Sequence, residues 1–290
     1  MLGAIFFLFW AGIIFFISAL GSSENSELFS KTDGIGVIEL KGIITSSEEI
    51  VTDLAAFQKN SRVKAIILRV DSPGGAVGAS QEIFTEIKRT NGIKPVIVSM
   101  GSMAASGAYY ASLGAQKIIA NPGTLTGSLG VIIKFPNLEN LFEKIGYKSE
   151  VVKSGANKDI GSATRPMTAE ERNILQALID NVHEQFINDI AKSRALAPEV
   201  VRKLADGRIY SGEQAKDLGL IDDFGNFADA IKLAATLAGL PSETPHLIFP
   251  KEKKFSLLTL LAGETGQTLT NRFINISPIL SYELTFQPQN

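Results

Sequence analysis

Apolar positions in this sequence come first as one unbroken block and then as a repeating beat. Residues 1–23 carry no charge, and 4–20 (AIFFLFWAGIIFFISAL) are apolar except at Gly12 and Ser18. A hydrocarbon core of ~30 Å takes ~20 helical residues to cross, so 1–23 reads as a transmembrane helix that anchors the chain. A removed signal peptide is the rival reading. Against it, the basic stretch that opens such peptides is missing, since the first Lys or Arg is Lys31. The positive-inside rule has little to count here, and an N-inside span with the body translocated fits the pattern. Residues 24–34 are small and polar and read as a linker.

The beat begins after the linker. Short β-branched and apolar runs at 36–40, 65–70, 95–99 and 117–120 predict strands, with further strands at 131–133 and 150–153. Between them, 47–60, 76–90, 104–113 and 136–145 predict helices. Strands alternating with helices of this length predict βαβ crossovers, hence an α/β fold with a parallel sheet flanked by helices. The pattern then changes to one long amphipathic helix at 168–194, opened by a Thr168–Glu171 capping box. Shorter helices follow at 198–205, 212–218 and 226–237. The folded domain is placed at 35–240. The remainder, 241–290, is an extension of unassigned role in which 255–261 reads as a short apolar helix.

Composition narrows the chemistry. The 290 residues hold 28 Lys+Arg against 30 Asp+Glu, a formal charge of −2 that argues against a nucleic-acid partner. With no cysteine there is no disulfide framework, thiolate zinc site or cysteine nucleophile. His183 and His246 are the only imidazoles, too few for a multi-histidine metal centre. His183 falls inside the long helix and His246 in the weakly patterned tail, so neither reads as a catalytic base. Neither a Walker A loop nor a Gly-x-Gly-x-x-Gly turn is present.

Three glycine- and serine-rich turns remain: 71–75 (DSPGG), 101–110 (GSMAASGAYY) and 126–130 (TGSLG). Each alone is equally readable as a tight crossover turn. Ligands of open α/β sheets bind at the carboxyl ends of strands, and paired amides there make an oxyanion hole worth about 3 kcal/mol per donor. Ser106, before Gly107 and a helix start, is a candidate nucleophile, although no Gly-x-Ser-x-Gly elbow surrounds it. Without histidine, a hydroxyl nucleophile needs another base, and a lysine desolvated by its surroundings can accept a proton. Lys158, in the small-residue stretch 154–162 (SGANKDIGS), is one candidate, while most lysines are solvated surface charges.

The motifs SPGG at 72–75, SMAASG at 102–107, TGSLG at 126–130 and KDIGS at 158–162 occur in an order and spacing that resemble the bacterial signal peptide peptidases of peptidase family S49, in their short single-repeat form. The likeness runs over about 34–240. It implies a ClpP/crotonase-like fold and a serine peptidase with a Ser–Lys dyad. Ser106 would be the nucleophile, Lys158 the general base and Ser128 the group that orients the lysine. The amides of Gly75 and Gly107 would form the oxyanion hole, with Gly74 the alternative to Gly75. The resemblance further implies a homo-oligomer whose sites are completed between subunits. The substrates would be cleaved signal peptides and other apolar peptides, and no metal or organic cofactor is called for. It places the chain in the bacterial inner membrane, single-pass, with the catalytic domain on the periplasmic side. Two other functions fit the same turns, a crotonase-like acyl-CoA enzyme and a catalytically silent membrane scaffold.

Overall fold

The computed structural model describes residues 32–250 and 281–283. In chain order it runs β1 (Gly34–Lys41), α1 (Glu48–Lys59), β2 (Val63–Ser72), β3 (Gly74–Ala76), α2 (Val77–Asn91), β4 (Val96–Ala105), α3 (Gly107–Ser112), β5 (Lys117–Ala120) and β6 (Leu125–Gly127). It continues with α4 (Glu139–Lys144), α5 (Ala169–Arg194), α6 (Pro198–Leu204), β7 (Ile209–Ser211), α7 (Gly212–Asp217), β8 (Asp223–Phe224), α8 (Phe227–Ala238), β9 (His246–Ile248) and β10 (Ser281–Glu283). The anchor expected at 1–23, most of the linker and the short helix expected at 255–261 lie outside the described residues. Among the described residues no helix is long and apolar enough to cross a membrane.

The central strands are apolar on both faces because both faces are covered. In β2, Ala65 and Ile67 point one way and Ile66, Leu68 and Val70 the other, all of them fully buried. On the first face α8 lays Ala230, Ala234 and Ala235 against Ile35, Ile67, Ile97 and Ile119. On the second, Ile83 and Ile87 of α2, Tyr110 of α3 and Phe186 and Ile190 of α5 build the larger core.

The main sheet has eight strands in the order β7-β6-β4-β2-β1-β9, with β5 beside β4 and β8 beside β5. It is mixed rather than purely parallel. β7 runs antiparallel to β6, and in a separate two-stranded sheet β10 runs antiparallel to β3; the other pairings of named strands are parallel. The same edge of β4 takes two partners, β5 along Ile97–Ser99 and β6 along Met103–Ala105. The sheet therefore forks beyond Met100, and the second branch leads to the candidate site.

Three expectations are corrected here. The strand expected at 95–99 continues to Ala105, and the helix expected from 104 starts only at Gly107. Residues 101–105, small apart from Met103, carry no clear periodicity of their own. They are held extended by pairing with β6 and by the Thr124 and Thr126 hydroxyls, which donate to the carbonyls of Gly101 and Ala104, both at 2.7 Å. The strands expected at 131–133 and 150–153 do not form. Val151 and Val152 instead stand exposed on an irregular segment, so their β-branching finds no sheet to join.

Candidate active site

Beyond the last β4–β6 pair, Ala105 with Gly127, both chains turn sharply. Ser106 adopts φ 54° and ψ −117°, and Ser128 φ 51°. Non-glycine residues held in such sparse regions cost about 1–3 kcal/mol each and persist only where their surroundings force them. The forcing is visible. The Ser106 N–H donates to the Gly127 carbonyl at 2.7 Å, its carbonyl accepts from the Tyr110 N–H at 2.9 Å, and the Ser128 N–H donates to the Arg208 carbonyl at 2.7 Å.

Behind Ser106, α3 is buried along its whole length. The Tyr109 hydroxyl donates to the Leu220 carbonyl at 2.8 Å and the Tyr110 hydroxyl to the Asp189 carboxylate. Burial pushes both phenols above their ordinary range, and the Asp189 hydrogen bond pushes Tyr110 further. Both therefore remain protonated donors that bolt the turn down. Ser106 itself is 1% exposed and its Oγ has no hydrogen-bond partner among the described residues. Leaving a buried hydroxyl unpaired costs about 1–3 kcal/mol. Backbone strain and an unmet hydroxyl thus coincide at Ser106.

Two amides lie beside this hydroxyl's turn. Gly107 opens α3, so its N–H has no intrahelical acceptor. Because α3 has only six residues, its contribution is that single donor rather than a long helix dipole. Gly75 sits in β3, which packs against α3. The Gly74 carbonyl accepts from the Ile44 N–H at 2.9 Å, and the Ala76 N–H donates to the Ile44 carbonyl at 2.7 Å. Strand alternation then turns the Gly75 N–H and carbonyl to the opposite edge, where the backbone of β10 pairs, Tyr282 opposite Gly75. The Gly74 N–H is used by Ser72 Oγ at 3.1 Å, and the Gly75 N–H faces the backbone of β10. A Cβ on Gly75 would run into the carbonyl oxygen of Ile44. Gly75→Ala is thus expected to displace this amide and, if the amide is an oxyanion donor, to lower kcat about 100-fold. Steady-state hydrolysis checks it, and unchanged kcat would exclude Gly75 from the hole.

The structure does not bring Lys158 to Ser106 within one chain. Ser106 Oγ is unpartnered, and Lys158 stands exposed on a turn, its N–H donating to the Gly155 carbonyl at 3.1 Å. The flanks of that turn are pinned. Arg165 reaches Asp159 (Nε–Oδ2 3.1 Å, Nη2–Oδ1 2.9 Å) and Glu171 (Nη1–Oε2 2.9 Å, Nη2–Oε1 2.5 Å). Lys153 adds a bond to Asp159 Oδ1 at 2.5 Å. Hydrogen bonds from Arg165 and then Lys153 hold the Asp159 carboxyl well below its usual range. Arg165 and then the Thr168 N–H pull Glu171 down to about 2. Folded pKa values below the unfolded ones mean stability that is full above roughly pH 4–5 and lost as pH falls through the folded values. The melting-temperature gap between wild type and Arg165→Gln is therefore expected to be widest near neutrality and to narrow below about pH 4. A gap that stays constant down to about pH 2 would show that charge plays no part in it.

His183 lies on α5, a residue of intermediate burial with no hydrogen bond to Ser106 Oγ. His246 pairs with Gly34 at the amino end of β1. Ser106 lies beyond the carboxyl end of β4, at least ten strand residues further along the parallel sheet, or roughly 30 Å at ~3.3 Å per residue. Sequence reasoning missed several supports: Asp71, whose Oδ1 accepts from the Met103 N–H at 3.1 Å, the two threonines of the β6 segment, and Arg165. Of these, Asp71 and Thr126 stand inside the turn motifs at 71–75 and 126–130 without being read as supports, and Arg165 stands directly before Pro166 and the capping box.

Residues 88–241 match the model of Peptidase family S49, and residues 26–124 match that of Clp protease. A Synechocystis sp. protein named as a protease is 43% identical over 232 residues, covering 80% of this chain and 84% of that protein. Protease 4 of Salmonella typhi is 41% identical over 242 residues, covering 80% of this chain but 39% of its own length. An Enterococcus faecium protein named as a signal peptide peptidase SppA is 39% identical over 185 residues, covering 63% and 54%. The chain thus spans most of the first relative and less than two thirds of the other two. Among solved structures, a ClpP1 point mutant from Listeria monocytogenes superposes with a TM-score of 0.47 at 20% identity, covering 67% of this chain and 92% of that one.

Proposed function

Because the chain belongs to peptidase family S49 and is a serine peptidase, we propose that Ser106 is its nucleophile and Lys158 its general base, the two meeting across the boundary between neighbouring copies. The observation that carries this reading is the Ser106 hydroxyl, buried and unpartnered on strained backbone at the end of β4. Membership of this family sets aside the acyl-CoA alternative. In the proposed reaction the Lys158 amine takes the Ser106 proton as Oγ attacks the scissile carbonyl carbon. The carbonyl oxygen becomes an oxyanion that accepts from the Gly75 and Gly107 N–H groups. The ammonium of Lys158 then returns its proton to the leaving amine, and water frees the acyl group by the same route in reverse. Ser128, on the turn beside Ser106, orients the lysine. A second copy seated over the exposed turn would exclude water from Lys158, the condition under which an amine serves as a base.

The substrate is proposed to be an extended apolar peptide, cleaved signal peptides among them, reached by a chain tethered through residues 1–23 to the bacterial inner membrane with its catalytic domain on the periplasmic side. The pairing of β10 with β3 supports an extended substrate, since the edge carrying Gly75 accepts an antiparallel strand in this structure. In detergent solution the full chain is expected to cleave an apolar peptide with kcat/KM at least about tenfold above that for a polar peptide of equal length. Equal cleavage of both would remove the apolar-substrate reading.

A further inference from the structure

The turn that carries Lys158 is exposed and lacks regular secondary structure, yet its ends are fastened more heavily than an ordinary surface loop. Resting on the assignment of Lys158 as general base, we propose that Arg165 is the positioning residue of that base. Its guanidinium spans Asp159, the neighbour of Lys158, and Glu171, the buried cap of α5. Four contacts on the turn side support this. Arg165 holds both carboxylate oxygens of Asp159 and, at 3.4 Å, the Asp159 carbonyl. The same Asp159 carbonyl accepts from the Ser162 N–H at 3.0 Å. On the other side Glu171 is 3% exposed, and its side chain also accepts from the Thr168 N–H at 2.9 Å to close the capping box. The helix start is therefore a fixed post, and the guanidinium transmits that fixity to the residue adjoining Lys158. Gly161, at φ 79°, gives the turn a second seat against the Phe135 ring, which fills the space a Cβ would need.

The guanidinium makes paired contacts to two carboxylates from three separate nitrogens; an ammonium carries its three donors on one nitrogen and cannot reproduce that fork. This separates geometry from charge and sets the experiment. In the full-length chain, Arg165→Lys and Asp159→Asn are expected to lower kcat for peptide hydrolysis roughly tenfold to 100-fold with KM nearly unchanged, as for a misplaced catalytic group. Asp159→Asn leaves the Arg165–Glu171 pair in place, so α5 keeps its cap and a folding defect is not confused with lost positioning. Hydrogen exchange is measured alongside and is expected to speed up in 153–162 of both variants while 169–194 stays protected. Wild-type kcat in both variants, or unchanged exchange in 153–162, overturns the proposal. Lys158→Ala, assayed in parallel, separates this from the reading beneath it. If Lys158→Ala is fully active, the dyad assignment falls, and the positioning role with it, whatever the exchange shows. If Lys158→Ala is inactive while both clamp variants match wild type, only the positioning role falls.

Discussion

Ser106→Ala is expected to abolish peptide hydrolysis, a loss of at least about 10³-fold in kcat, while leaving the fold and its melting temperature intact or slightly raised. The direction on stability follows from the site itself. The wild-type hydroxyl is buried without a hydrogen bond, so removing it deletes a desolvation cost rather than a contact. The backbone strain at φ 54° remains, because alanine meets the same steric limits as serine. A residue that is essential for turnover yet dispensable for stability is spending folding energy on chemistry. Circular dichroism melts and steady-state kinetics on the same preparation test both halves. Residual turnover above about 10% would point to another nucleophile.

Lys158→Ala is expected to lose activity to a similar degree, and the two dead variants together are expected to recover some of it. If each site takes its serine from one copy and its lysine from the next, an equal mixture re-assembled from Ser106→Ala and Lys158→Ala chains contains about a quarter of sites with both groups intact. If one chain supplied both groups, the mixture would contain none. The geometry favours the shared arrangement. Within a single chain the Ser106 hydroxyl has no partner and Lys158 stands exposed on its turn. In the segment that leads into that turn, Leu141, Ile145, Tyr147, Val151 and Val152 are exposed, as residues a neighbour covers would be. Activity recovered on mixing, absent from either variant alone, confirms completion between copies.

Much of this architecture was legible before the structure, because burial on both faces writes itself into sequence. The runs that became β1, β2 and β5 are dense in Ile and Val, and the Thr168–Glu171 box marks the start of α5 to the residue. The forked sheet was not legible. Gly101 to Ala105, small apart from Met103, show no clear period, and they are held extended by β6, some twenty residues later, and by the Ser72–Ala104 pairing with β2. Val151 and Val152 failed in the opposite sense, since β propensity expresses itself as packing against a neighbouring strand and none lies beside them among the described residues. At the site, Ser106 and Gly107 stood out through motif and neighbourhood, but the positive φ at Ser106 lies beyond the end of the β4–β6 pairing, which the sequence did not show. Arg165 was invisible in function because its role is a three-way contact between segments that meet only when the turn folds onto α5. Glu171 was visible as a cap and not as the second anchor of that contact.

The nucleophile and its base are tested together by mass-spectrometric mapping of a fluorophosphonate adduct on the intact assembly, wild type beside Lys158→Ala. The wild-type chain should carry a single adduct at Ser106, and the lysine variant should remain unmodified at the same dose. An adduct on any other residue, or equal modification of Ser106 in both proteins, contradicts the assignment.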